Sequence, residues 1–125
     1  MELGLRGRAA VVGGATSGLG RASAEALAAW MKTTARTVAA DGVTVNGVMP
    51  GRIATPRIHE LDSGRAEREG TTEDAVRQAH ISTIPAGRYG EPEELGTLVA
   101  FLASARASYV TGQLIAVDGG LIAGL

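Results

Sequence analysis

The residues with the clearest capacity for chemistry stand near the N-terminus, in Val11-Val12-Gly13-Gly14-Ala15-Thr16-Ser17-Gly18-Leu19-Gly20. A short apolar run stops at paired glycines and gives way to helical periodicity. That is the setting in which a glycine-rich turn holds a dinucleotide. Gly14 permits a tight turn, Gly18 lets the backbone approach a pyrophosphate, and Gly20 lets the helix pack closely on the strand. Free N–H groups at the helix N-terminus favour phosphate charge, and Thr16 and Ser17 add hydroxyl donors. The spacing is Gly-x3-Gly-x-Gly rather than Gly-x-Gly-x2-Gly, so a glycine-rich turn that holds no ligand stays open as a reading.

Other reactive side chains are sparse. His59 and His80 lie far apart, with no cysteine and no paired carboxylate at ligand spacing. They are expected as solvated loop and helix histidines, and no metal site is expected. Asp118 precedes Gly119-Gly120 and has no acid partner in view, so it reads as a turn-forming aspartate rather than a nucleophile. The charges of 65–69 read as a wet surface. Zero cysteines exclude disulfides and thiolate catalysis. Twelve Lys+Arg against thirteen Asp+Glu leave no basic excess, so no nucleic-acid partner is expected. No apolar run approaches the ~18 residues of a membrane span, and no signal-peptide pattern opens the chain; the expected location is the cytoplasm, with no membrane partner.

The elements that must position these residues are legible from periodicity and punctuation. With 125 residues the chain is one domain. Its 18 glycines are about twice the ~7% average, and there are only four aromatics: Trp30, Tyr89, Phe101 and Tyr109. Residues 9–12 read as a buried strand ending at Gly13-Gly14. A two-faced helix follows over about 18–40, ended by Asp41-Gly42. Leu19, Ala22, Ser23, Ala26, Leu27, Trp30, Thr34, Thr37 and Val38 form its predicted inward stripe, and Arg21, Glu25, Lys32 and Arg36 the outward one. Residues 43–49 alternate and are β-branched, a second strand stopped by Pro50-Gly51. The polar stretch 52–70 reads as a long surface excursion. Thr71-Thr72 before Glu73 and Asp74 starts a helix running to about His80. Residues 85–90 read as loop, and Glu91-Pro92-Glu93-Glu94 opens a further helix with Leu95, Leu98, Val99 and Leu102 on its apolar face. Residues 114–117 form a third strand, closed by Asp118-Gly119-Gly120. Strand–helix–strand–helices–strand predicts an α/β fold with parallel strands.

These motifs together resemble the short-chain dehydrogenase/reductase family, in particular its 3-oxoacyl-carrier-protein-reductase-like members. Residues 5–29 resemble that family's first strand, nucleotide loop and first helix, with Gly13 where the family often has Thr. Residues 30–121 resemble its C-terminal third. That match runs through Asp41-Gly42-Val43-Thr44-Val45-Asn46-Gly47-Val48-Met49-Pro50-Gly51, then Pro85-Ala86-Gly87-Arg88-Tyr89-Gly90-Glu91-Pro92-Glu93-Glu94, then Tyr109-Val110-Thr111-Gly112-Gln113 and Asp118-Gly119-Gly120. The resemblance implies a Rossmann-like parallel sheet and an NAD(P)-dependent oxidoreductase ancestry of the carbonyl reductase or alcohol dehydrogenase type. It implies NAD or NADP as cofactor, with contacts from Gly14, Thr16, Ser17, Gly18, Leu19, Gly20, Pro50, Gly51 and Thr55, the last facing the nicotinamide carboxamide. Residues 57–84 fall on the family's variable substrate cover. A small carbonyl or alcohol substrate belongs to a full-length relative.

The family's middle is missing. Between Ala29 and Trp30 it would carry the ribose-reading strand, an Asn-Asn-Ala-Gly-like segment, the catalytic Ser and the Tyr-x3-Lys pair. The only lysine is Lys32, with no tyrosine four residues before it. Tyr89 and Tyr109 are followed four residues later by Glu93 and Gln113, and both match structural positions of the family's tail. No catalytic residue is therefore expected. Across the junction Arg21, Glu25, Lys32 and Arg36 stay within about 60° of one another on the helical wheel, so the two half-helices fuse in phase into a helix of ~35 Å. The expectation is a single truncated domain over 1–125, with a reduced sheet of about three strands. Its open sheet edge invites a second copy, so a homo-oligomer is expected. Three functions compete: an NAD(P)-dependent reductase, a non-catalytic module with at most weak dinucleotide binding, and an oligomer-assembly piece.

Overall fold

A computed structural model describes residues 20–123, with side chains from Ala26 onward. The predicted strand at 9–12 and the glycine-rich turn at 13–19 lie outside the described residues. Among these, the order is α1 (Gly20–Val38), a 3-10 turn (Ala39–Asp41), β1 (Gly47–Pro50), α2 (Pro56–Glu69), α3 (Glu73–Ile81), α4 (Pro92–Ala103), a second 3-10 turn (Ala105–Ala107) and β2 (Leu114–Val117). The architecture is α/β, and β1 and β2 pair in parallel with Gly47 opposite Leu114 and Pro50 opposite Val117. The sheet thus has two strands among the described residues, against the three expected of the whole chain.

Helix α1 runs unbroken across Ala29–Trp30. Its C-terminus closes through Gly42, whose φ of 74° places its N–H on the Ala39 carbonyl. The buried face, however, overlaps the predicted stripe only at one edge, through Leu27 and Val38. Met31 and Ala35 are buried with Val45, and Leu27, Val38 and Leu114 pack against them. Trp30 is 51% exposed, and Ala26 and Thr37 are exposed too. The inward face is displaced from the predicted one by about 100°, one residue's turn. The cause is the floor that α1 meets. A Cβ on Gly47 would lie 2.7 Å from Met31 Sδ, and one on Gly112 would lie 3.4 Å from Ala35 Cβ. Flexible Met and small Ala fit over these two glycines; an indole does not.

The predicted strand 43–49 shortens to Gly47–Pro50. Ahead of it the neighbouring chain bends at Gly112, where φ is 70°, and side chains join the remaining backbone bonds, Gly112 N–H to Val45 carbonyl and Gly47 N–H to Gln113 carbonyl. The Val45 N–H donates to Thr111 Oγ1 at 3.0 Å, Asn46 Nδ2 donates to the Val110 carbonyl at 2.8 Å, and the Gln113 N–H donates to Asn46 Oδ1 at 3.1 Å.

The stretch 52–70 departs most from expectation, because most of it is helix α2. Thr55 caps it, accepting from the Ile58 N–H at 3.4 Å, and Pro56 occupies the first turn. Its polar composition hid it: the buried residues of its inward face are Asp62 and Ala66, so no apolar stripe advertises the helix. Helix α3 starts as predicted, with Thr72 Oγ1 accepting from the Ala75 N–H at 3.1 Å, and α2 and α3 pack on each other. At the start of α4, Glu94 Oε2 accepts from the Glu91 N–H at 2.7 Å. The same carboxylate takes two hydrogen bonds from Arg88, at 2.7 and 2.8 Å. Together these hold the Glu94 carboxyl down at about 2.

Candidate functional site

In an open parallel sheet, ligands bind beyond the carboxyl ends of the strands. Here those ends are Pro50-Gly51 and Val117-Asp118-Gly119-Gly120, and they lie side by side. The Gly51 N–H donates to the Val117 carbonyl at 2.9 Å. A Cβ on Gly51 would meet Asp118 Cα at 2.7 Å, so glycine is needed for the two loops to touch. Asp118 forms the turn expected of it: Oδ1 accepts from the Gly120 N–H and Oδ2 from the Ile122 N–H, both at 2.9 Å. Both oxygens are committed to shaping the loop.

A hollow of about 100 Å³ opens beside these ends, lined by Ala86, Arg88, Gly90, Glu94, Val117, Asp118 and Gly119. Small-molecule sites commonly enclose ~300–1,000 Å³, so this hollow is a rim rather than an enclosing pocket for a dinucleotide. Of the candidate cofactor residues, Pro50, Gly51 and Thr55 are brought to this end of the sheet, Gly20 begins α1, and Gly14, Thr16, Ser17, Gly18 and Leu19 lie outside the described residues. Thr55 caps α2 through an oxygen lone pair. Its O–H has no acceptor among the described residues, and a hydroxyl in that state can donate to a carboxamide or phosphate oxygen.

Behind the rim stands a buried polar cluster that the sequence reading missed. Asp62 of α2 is 3% exposed. Its Oδ2 accepts from the Tyr89 hydroxyl at 2.7 Å, and its Oδ1 accepts from Arg52 Nη1 at 3.3 Å. His80 Nε2 of α3 stands 3.6 Å from Oδ1. The Arg77 and Arg52 guanidiniums lie 5.2 and 6.0 Å from the Tyr89 ring centroid, within cation–π range. Burial first, and then the hydrogen bond to the Asp62 carboxylate, push the Tyr89 phenol up to about 12. A phenol so held is a structural donor and is far from an acid–base catalyst at neutral pH.

His80 corrects an expectation, since its side chain is only 15% exposed rather than solvated. Burial, followed by the Arg52 charge, lowers its pKa. His59 is exposed as expected, but on α2 rather than in a loop. The signal for this cluster was Tyr89 itself: in a chain with four aromatics, a buried tyrosine hydroxyl needs a partner.

One further group of reactive types meets on the surface. Ser63 Oγ donates to Glu73 Oε2 at 2.6 Å, and His59 Nδ1 pairs with Glu73 Oε1 at 3.0 Å. The hydroxyl and the imidazole both engage the carboxylate rather than each other, so no base faces the serine. The group ties α2 to the first turn of α3. Tyr109 is fully exposed. Among the described residues no group of three or more His, Cys, Asp or Glu is placed to hold a metal ion, and no helix is long and apolar enough to cross a membrane.

Comparison with known proteins fits this geometry. The profile of the family described as enoyl-(acyl carrier protein) reductase matches residues 8–122. The chain belongs to the short-chain dehydrogenase/reductase family. It is 42% identical over 91 residues to the 3-oxoacyl-(acyl-carrier-protein) reductase FabG of Thermotoga maritima, covering 73% of this chain and 32% of that protein. It is 40% identical over 95 residues to the short-chain reductase protein NovJ of Streptomyces niveus, covering 76% and 35%. Among solved structures, a short chain dehydrogenase family protein of Francisella tularensis superposes with a TM-score of 0.81 at 28% identity, over 93% of this chain and 52% of that one. The L-sorbose reductase of Gluconobacter frateurii, solved with NADPH and L-sorbose, gives 0.80 at 29% identity, over 96% and 49%. The chain thus spans about a third of the length of the curated relatives it matches and about half of these solved chains.

Proposed function

We propose that this chain is a dinucleotide-holding module of a short-chain reductase, which takes NAD or NADP weakly and performs no hydride chemistry by itself. The observation that carries this reading is the conjunction at the sheet's carboxyl end. Pro50 and Gly51 leave β1 against the β2 turn, and Thr55 three positions on from Pro-Gly-Arg holds an O–H donor with no acceptor among the described residues. The phosphates would rest on Gly14, Thr16, Ser17, Gly18, Leu19 and Gly20, and the nicotinamide end on Pro50, Gly51 and Thr55. The nicotinamide, when bound, supplies the hydride donor or acceptor. What the sequence lacks is the family's acid–base pair: it has no Tyr-x3-Lys, Tyr109 being followed four residues on by Gln113, and Tyr89 is held on Asp62. In a full-length relative the remainder would supply that acid and a small carbonyl or alcohol substrate. Segments 5–29 and 30–121 then form one truncated domain, read as an internal deletion in which the family's middle is missing at Ala29–Trp30. The working location is the cytoplasm.

The test is a calorimetric titration of NAD+ and NADP+ into the chain, with Thr55→Val and Gly18→Glu as variants. Millimolar binding weakened by both variants supports the reading, and a flat wild-type titration removes it. Turnover of NADPH with 3-oxoacyl or diketone substrates would overturn the non-catalytic part. A second reading, an assembly piece forming a homo-oligomer, is favoured by the exposure of Trp30, Phe101 and Tyr109, at 51%, 44% and 100%. Light scattering decides it, and a strict monomer at all concentrations refutes it.

A further inference from the structure

We propose that Arg52, Asp62 and Tyr89 form a latch that fastens the α2–α3 pair to the loops at the sheet's carboxyl end. Helices α2 and α3 pack chiefly on each other, so what joins them to the sheet matters. On the sheet side the latch offers Arg52, one residue beyond Gly51, and Tyr89, at the foot of the loop into α4. These two loops are already bound together: the Gly90 N–H donates to the Arg52 carbonyl and the Ala54 N–H to the Gly90 carbonyl, both at 2.8 Å. On the helix side the latch offers the Asp62 carboxylate, halfway along α2, flanked by His80 and Arg77 of α3, which stand 3.6 Å from Asp62 Oδ1 and 5.2 Å from the Tyr89 ring centroid. Its two oxygens divide between the two loops, Oδ1 taking Arg52 and Oδ2 taking Tyr89. One carboxylate therefore pins one helix to two separate loops.

Burial makes the pin selective. No buried side-chain polar atom lacks a hydrogen-bond partner among the described residues. If α2 lifts away, the Tyr89 hydroxyl and the Asp62 carboxylate must both find water. The latch therefore holds by the net worth of its bonds to a buried carboxylate over the same groups' bonds to water. The latch also fixes the loop 51–55 between Gly51 and the α2 cap, and hence the position of Thr55. That last link rests on the dinucleotide reading above; the latch itself does not.

The experiment is amide hydrogen exchange on the intact chain, comparing wild type with Tyr89→Phe and Asp62→Asn, each also titrated with NADP+. Tyr89→Phe keeps the ring and loses the pin. Asp62→Asn keeps the shape and an acceptor oxygen. The expected result is exchange at least tenfold faster across Pro56–Glu69 and Glu73–Ile81 in Tyr89→Phe. Asp62→Asn should be intermediate, and the amides of Gly47, Val48 and Met49 and of Leu114–Val117 should keep their protection. NADP+ affinity should fall about tenfold with Tyr89→Phe. Equal acceleration in helices and strands, or none in the helices, overturns the latch. Faster helix exchange with unchanged NADP+ affinity overturns its link to Thr55. If wild type binds no NADP+, the dinucleotide reading falls, and the exchange pattern still decides the latch.

Discussion

Replacing Tyr89 by Phe removes one oxygen atom and leaves the ring in place. The lost hydrogen bond runs at 2.7 Å from the phenol to a carboxylate that is 3% exposed. A hydrogen bond to a charged group contributes ~1.5–3 kcal/mol. Arg52 remains on the other carboxylate oxygen at 3.3 Å, so the charge keeps its counterion and the cost stays within that range. For a domain of this size, ~4 °C of melting temperature accompanies each kcal/mol. Thermal unfolding followed by circular dichroism should therefore fall by about 6–12 °C. Asp62→Ala should cost more, because it removes both bonds and leaves the buried Tyr89 hydroxyl without its acceptor, while the Arg52 side chain, 31% exposed, turns to water. The order of the two variants is the sharper test. A Tyr89→Phe chain that melts within about 2 °C of wild type, or an Asp62→Ala chain more stable than Tyr89→Phe, would refute the account of this cluster.

Four other substitutions probe the remaining structure. Met31→Ala should lose about 2–5 kcal/mol while Trp30→Ala stays within ~0.5 kcal/mol; urea unfolding that reverses this order returns α1 to the face suggested by its sequence. Gly51→Ala places a methyl 2.7 Å from the Asp118 backbone and should cost about 1–3 kcal/mol, read as a lower urea midpoint; an unchanged midpoint would mean the two strand-end loops are not in contact. For His80, burial and then Arg52 put the folded pKa below the unfolded value of 6.5. The unfolded chain therefore binds the proton first as pH falls. The stability owed to neutral His80 is complete above that value and is lost as pH drops through the lower folded one. His80→Gln should flatten this acid loss in urea midpoints taken between about pH 7.5 and pH 5; a parallel pair of profiles would rule it out.

Sequence by itself determined the features that depend on a few consecutive residues. The span Leu114–Val117, the Thr72 start of α3, the Pro92 start of α4 and the Asp118 turn are all where their local signals place them. The two caps and the turn rest on backbone geometry within four residues, which residue type controls directly, and the strand shows as a short apolar, β-branched run stopped by turn residues. The continuity of α1 across Ala29–Trp30 is of the same kind. The motifs of the chain's tail also carried the family, because its strand-end and turn residues are set by close backbone approach.

Tertiary structure alone decided which side of α1 is buried and where the polar stretch 52–70 goes. Periodicity gives a stripe, but the helix turns toward the surface that fits it. That surface is made by Gly47 and Gly112, 65 residues apart in the chain and adjacent in space through Met31 and Ala35. Asp62 looks like one charge in a charged segment. Its burial follows from Tyr89, 27 residues away, and Arg52, 10 residues away, arriving at its two oxygens. An isolated carboxylate would favour water; a fully hydrogen-bonded one can be enclosed. No local pattern encodes that pairing, because its energy exists only once the loops and helices have met.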